Sequence, residues 1–214
     1  LTIGGNSLNS IGQYAFTGCP LKSATLRIPA KLDTATDYPS IGNYAFYRTG
    51  ISTINLPQME KIGDYAFSEC SSLSITGNTI NSDEIGDYAF YNTQVSGPIT
   101  TLTSTSIGKE AFSESGLTFD TIKQKVTTIG GITTTSSIHI YPHAFSGRTI
   151  TGPLNFASPN YGRNLIDASA FSGCIFKSNS KFEFHSTTIG SYAFSRANFA
   201  SKRELTLRDG STLG

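Results

Sequence analysis

Three cysteines, three histidines and one adjacent pair of acids are the side chains of this 214-residue chain best suited to chemistry. A metal site would need thiols or imidazoles clustered at spacings near Cys-x2–4-Cys, and Cys19, Cys70 and Cys174 lie far apart. His139 and His143 have the i, i+4 spacing of a zinc-binding helix, but Pro142 lies between them. Asp83-Glu84 offers two carboxylates for proton transfer, although adjacent acids in a hydrophilic connector are ordinarily just solvated. The chain carries no Gly-x-Ser-x-Gly elbow, phosphate-binding glycine loop or dinucleotide fingerprint. The residues therefore point to no catalytic group, no metal and no cofactor.

What surrounds these side chains is a repeat. The motif Ile-Gly-x-Tyr-Ala-Phe survives in eight copies ending at Phe16, Phe46, Phe67, Phe90, Phe112, Phe145, Phe171 and Phe194. Every copy keeps Ile four residues before Ala, from Ile11 and Ala15 to Ile189 and Ala193. Successive Phe residues are 30, 21, 23, 22, 33, 26 and 23 apart, so the base unit is 22 or 23 residues and accepts insertions. Periodicity of this length specifies stacked coils that bury a core between neighbours. The cysteines share one column, four residues after the motif Ala. Cys19 and Cys70 are two coils apart, about 10 Å at ~4.8 Å per coil, beyond the ~7 Å reach of a disulfide. The spacing thus predicts three reduced thiols packed as small apolar groups that reach local backbone.

Each unit predicts two elements. An apolar residue follows the Ala by six or seven positions, and an alternating strand comes next, as in Leu26-Arg27-Ile28, Ile54-Asn55-Leu56, Phe182-Glu183-Phe184 and Leu205-Thr206-Leu207. The motif itself reads as a tight helical turn opposite the strand. Gly fills its second slot in six of eight copies, which suits an N-cap or a bend with unusual backbone angles. Asp64 and Asp87 in the third slot suit a helix N-terminus, and Pro142 suits a first helical position. Two insertions interrupt the array, at Lys31–Ser40 and Lys123–Ser137. The second reads as a degenerate ninth coil, and both read equally as tolerated loops or as borders of a binding surface.

The pattern Ile-x-x-x-Ala-Phe-x-x-Cys-x-x-Leu-x-x-Ile-x-Leu-Pro, followed closely from Ile11 to Pro29 and from Ile41 to Pro57, resembles the BspA-type, or Treponema pallidum-type, leucine-rich repeat. Departures fall in later copies, where Tyr141 and Asp167 replace Gly and Arg148 takes the Cys slot. The resemblance implies a right-handed, curved leucine-rich-repeat solenoid with a parallel concave sheet and short helical turns on its convex side. Residues 1–214 would form one domain of eight to nine irregular repeats, with an export signal and N-terminal cap upstream. It further implies a non-enzymatic secreted or cell-surface protein that mediates adhesion to a host matrix protein, a cell-surface protein or a glycan.

Composition agrees. Charged residues are 14% of the chain against about 25% in ordinary globular proteins, Ser and Thr supply about a quarter, and the formal charge is +1. Nothing drives such a surface toward nucleic acid or anionic lipid, and no apolar run nears the ~18 residues that span a bilayer. Outward positions of the strands nominate a binding face: Arg27, Asn55, Asn155, Lys181, Glu183, His185, Glu204, Thr206 and Arg208. The charge gathers at the C-terminal end of that face, where it reads either as oriented polar contacts for a ligand or as a self-neutralised patch guarding a sheet end. Two other readings of the chain stay open: a right-handed parallel β-helix acting on polysaccharide, and a structural spacer with no ligand.

Overall fold

A computed structural model describes residues 2–4, 8–21, 25–28, 38–95, 97–129, 131–177, 182–199, 205–208 and 210–214. The chain winds as a parallel β-solenoid. Its longest register runs through the motif isoleucines, pairing Ile11, Ile41, Ile62, Ile85, Ile107, Ile140, Ile166 and Ile189 in succession and ending on Leu213. Leu213-Gly214 thus occupies the Ile-Gly position of a ninth coil. A second column joins Ile99, Phe119, Ile150, Phe176 and Phe199. A four-stranded sheet stacks Thr2–Gly4, Thr25–Arg27, Thr53–Asn55 and Ser74–Thr76, and a three-stranded sheet stacks Asn155–Phe156, Phe182–His185 and Leu205–Arg208. Strands therefore line more than one side of the coil, where the sequence reading expected a single sheet.

The expected helical turns do not form: among the described residues there is no helix. The cause is the tyrosine slot, which holds φ between 50° and 59° in all eight copies: Tyr14, Tyr44, Tyr65, Tyr88, Glu110, His143, Ser169 and Tyr192. A left-handed residue every coil stops a right-handed helix from propagating. The amides instead alternate. Ala45 N–H bonds back to Gly42 C=O at 3.3 Å and Tyr47 N–H to Tyr44 C=O at 3.2 Å, whereas Tyr44 N–H and Phe46 N–H reach the next coil at Asp64 C=O and Ala66 C=O, 2.8 Å each. The turn side is thus a backbone ladder in its own right.

This geometry corrects two readings of the motif. Glycine in the second slot answers close approach between coils: a Cβ on Gly42, Gly63 or Gly86 would lie 2.6 Å from a backbone nitrogen of the preceding coil. The third slot answers a side-chain ladder. Asn43 Oδ1 accepts Asp64 N–H at 3.0 Å, Asp64 Oδ1 accepts Asp87 N–H at 2.9 Å, and Asp87 Oδ1 accepts Lys109 N–H at 2.7 Å. Lys109 has no acceptor to offer, and the next residue in the column, Pro142, has no N–H to place.

Inside, Phe46, Phe67, Phe90, Phe112, Phe145 and Phe171 are fully buried, with ring centroids 5.1–5.4 Å apart along the whole column from Phe16 to Phe194. The motif alanines from Ala45 to Ala170 are buried beside them. Tyrosines repeat the stack outside, Tyr14 on Tyr44, Tyr65 and Tyr88 at 5.0, 4.7 and 4.8 Å.

The second insertion is not a degenerate coil. It is an antiparallel hairpin, Val126–Ile129 paired with Ile132–Thr135. Mirrored β-branched runs around a Gly-Gly step favour a local hairpin over another rung of the stack.

Candidate binding surface

Most repeated polar side chains serve the stack itself. Thr49 Oγ1 donates to Phe46 C=O at 2.9 Å, Thr93 Oγ1 to Phe67 C=O at 2.7 Å and Ser115 Oγ to Phe112 C=O at 2.7 Å. The thiols of the same column do likewise, Cys70 to Phe46 C=O at 3.1 Å and Cys174 to Phe145 C=O at 2.9 Å. All three cysteines are free, and burial pushes the Cys70 thiol up and that of Cys174 up to about 12. The column selects a small donor for a motif carbonyl, which hydroxyl and thiol fill equally.

The other chemical candidates separate. His139 Nε2 lies 2.7 Å from Asp167 Oδ2 while its ring stacks on Tyr141, and His143 stands in the tyrosine column. Asp83 pairs with Lys125 and Glu84 with Lys61, because neighbouring residues on a strand point to opposite faces. On the turn side, Arg48 sits over the Tyr47 ring and pairs with Glu69, which accepts the Tyr47 hydroxyl at 3.0 Å. Burial first, and then that hydrogen bond, raises the Tyr47 pKa, while Arg48 draws the Glu69 carboxyl down. Among the described residues no group of three His, Cys, Asp or Glu could hold a metal ion.

The described residues of the nominated binding face belong to two sheets. Arg27 and Asn55 belong to the four-stranded sheet, where Asn55 is engaged with backbone: its Oδ1 accepts Ile28 N–H at 2.9 Å and its Nδ2 donates to Ile28 C=O at 2.8 Å. Asn155, Glu183, His185, Thr206 and Arg208 belong to the three-stranded sheet, with Glu183 opposite Thr206 and His185 opposite Arg208. Asn155 Oδ1 accepts Glu183 N–H at 2.8 Å. The Glu183 carboxylate is ion-paired with Arg208 and lies 3.7 Å from His185 Nε2. Lys181 and Glu204 lie outside the described residues.

What the strand pattern did not disclose is where the irregular segments meet. Lys125, at the foot of the hairpin, ion-pairs with Asp83 and lies 5.8 Å from the ring of Tyr38, in the described part of the first insertion. Thr135 exchanges two bonds with Asn160, its N–H to Asn160 Oδ1 at 2.6 Å and its C=O with Asn160 N–H at 2.9 Å. Ser158 Oγ is 3.1 Å from Ser186 Oγ, which carries the contact to the end of the Phe182–His185 strand. Beneath them lies a buried polar knot. Gln124 Nε2 is 3.0, 3.0 and 2.9 Å from Ser136 C=O, Ala157 C=O and Asn164 Oδ1. Asn164 Nδ2 donates to Ala157 C=O and His185 C=O, both at 2.9 Å, and its Oδ1 also accepts Ile138 N–H at 3.2 Å. With Asn164 at 0% exposure, one buried amide pins hairpin foot, loop 157–163 and outer strand together. Val126, Ile132 and Tyr161 stand above it, 57%, 71% and 84% exposed.

Coils of about 22 residues, an internal phenylalanine stack and a parallel register from coil to coil define a repeat solenoid. The BspA type leucine rich repeat region, in six copies, matches residues 2–39, 39–151 and 138–205, and the chain belongs to that family. No curated protein and no solved structure matches it. No helix among the described residues is long and apolar enough to cross a membrane.

Proposed function

We propose that this chain is a non-enzymatic binding module of a secreted or cell-surface protein, and that it attaches to a protein of the host matrix or of another cell. The observation that carries this reading is the convergence of insertions. A solenoid that only spaces other domains gains nothing from irregular segments, whereas here the hairpin foot and loop 157–163 are pinned together by buried amides and Lys125 at that foot lies over Tyr38. Rigid scaffolds commonly present partners with loops of this kind. The Glu183–His185–Arg208 cluster borders the same loop and supplies oriented polar groups to its rim. Family membership supports the non-enzymatic part of the reading, as does the engagement of Asp83, Glu84 and Glu183 with their own cations.

The test is an array of extracellular matrix proteins, cell-surface proteins and glycans probed with the whole chain, run beside a glycan-depolymerisation assay on the same sample. Saturable capture by one protein, with no reducing sugar released, is the expected result. Release of sugar would establish the polysaccharide-acting alternative, and an empty array would establish the spacer.

A further inference from the structure

Resting on that reading, we infer that the outer edge of strand Val126–Ile129 is the contact itself, and that it accepts an extended, uncharged segment of the partner protein as an added β-strand. Among the described residues the hairpin is a two-stranded sheet, so each strand has one edge to which no described strand is paired. The phase of the ladder follows from the bond of Ser136 N–H to Lys125 C=O at 2.9 Å. Residues 125, 127 and 129 then face the opposite strand, and Val126 and Thr128 direct N–H and C=O outward. On the far strand the equivalent groups of Thr135 point outward too, and there Asn160 occupies both. Loop 157–163 thus covers one edge of the hairpin at its foot, and no described residue pairs with the other.

Sheet edges that must stay single are ordinarily guarded by lysine, proline, a bulge or an inward charge. The sequence Val126-Thr127-Thr128-Ile129 has none of these, and the neighbouring cation, Lys125, is committed to Asp83. What a row of outward N–H and C=O groups recognises is another extended backbone. Flanking side chains without charge, and Val126 at 57% exposure, select a strand of small β-branched or hydroxyl residues over a charged one. The Gln124–Asn164 knot holds the hairpin foot before any partner arrives, which lowers the ordering cost of pairing.

The experiment uses the whole chain and a short peptide of alternating threonine and valine with a lysine at each end. A second peptide carries N-methyl groups on alternate amides along one edge. Saturable binding of the first, weakened roughly tenfold or more by N-methylation, is expected. Two protein variants should weaken it similarly at unchanged melting temperature: Thr128→Pro, which removes one outward N–H, and Val126→Lys, which installs the missing guard. Absence of binding, or binding indifferent to N-methylation and to both variants, overturns the inference. So does a concentration-dependent dimer abolished by Thr128→Pro, since a second copy would then be the occupant. Capture of a matrix protein that survives both variants would sink this inference and leave the proposed function standing. Variant-sensitive peptide binding beside an empty protein array would do the reverse.

Discussion

Eight non-glycine residues hold the left-handed backbone of the tyrosine slot, a conformation glycine would adopt without strain. The strain is tolerated because the side chain gives something back: Tyr65 stacks on Tyr44 at 4.7 Å and on Tyr88 at 4.8 Å. Tyr65→Ala keeps the strain and loses both stacks, whereas Tyr65→Gly loses the stacks and relieves the strain. The glycine variant should therefore be the more stable of the two by about 1 kcal/mol, despite glycine's greater freedom when unfolded. Thermal unfolding of the pair decides it, and a more stable alanine variant would mean that the left-handed assignment at Tyr65 is wrong. The thiol column makes a second prediction. A Cys174 pKa raised to about 12 leaves the folded state protonated after the unfolded thiol, near 8.5, has ionised. Its stabilisation is whole below pH ~8.5 and is lost as pH climbs toward 12. Serine already fills this donor slot at Ser115, so Cys174→Ser should fold and should lose less stability across that window than the parent chain. Parallel pH–stability curves above pH 8.5 would contradict the burial argument.

At the scale of elements the phenylalanine stack is the clearest success of sequence reading, because a fixed spacing can only be kept by residues that meet. Phe67 lies between Phe46 and Phe90 at 5.4 and 5.3 Å and is fully buried, so Phe67→Ala should cost about 3–5 kcal/mol. Phe16, only partly buried, should cost visibly less, and equal losses in chemical denaturation would refute a cooperative column. The motif's conformation was less legible. Ile-Gly-x-Tyr-Ala-Phe has the apolar spacing of a helical turn, and nothing in Tyr as a residue type announces a positive φ; that angle is imposed by bonds to the next coil. For the same reason Asp64 and Asp87 resembled helix-capping residues until the amides they accept were seen to belong to neighbouring coils. The Gln124–Asn164 knot was illegible altogether, since its two residues are 40 apart and match no column. Asn164→Ala should leave the buried Ile138 N–H without its acceptor and take one of two donors from each of the Ala157 and His185 carbonyls, costing about 2–3 kcal/mol. Amide exchange in the hairpin should quicken with it, and unchanged protection of Thr127 and Thr134 would mean that the knot does not hold the hairpin foot.

At the scale of the whole molecule each coil leans on its neighbours alone, so stability is a sum of near-neighbour terms and a change at the surface of one coil is not felt far along the stack. Such a body can vary its insertions while the phenylalanine column stays continuous across them, as it does from Phe112 to Phe145 at 5.2 Å despite a separation of 33 residues. Sequence located the insertions but could not say that they meet, because their meeting depends on how far the hairpin leans toward Asp83 and Tyr38 on earlier coils. It likewise grouped residues that the structure distributes over two sheets, with Arg27 and Asn55 in one and Glu183, His185 and Arg208 in another. Removal of the hairpin tests the division of labour between stack and insertions. Lys125 C=O already accepts Ser136 N–H at 2.9 Å, so a Gly-Gly bridge between those residues should close the coil with little strain. The shortened chain should melt within a few degrees of the parent, because the hairpin adds little apolar burial to the core: Val126 and Ile132 are 57% and 71% exposed. Capture by a matrix or cell-surface protein should disappear. Glu183→Ala with Arg208→Ala, which keeps the hairpin and disturbs only the rim, should weaken capture by no more than about tenfold, the scale of exposed ion-pair contacts. If the double variant abolishes capture while the excised chain retains it, the three-stranded sheet and not the insertion edge is where the partner binds.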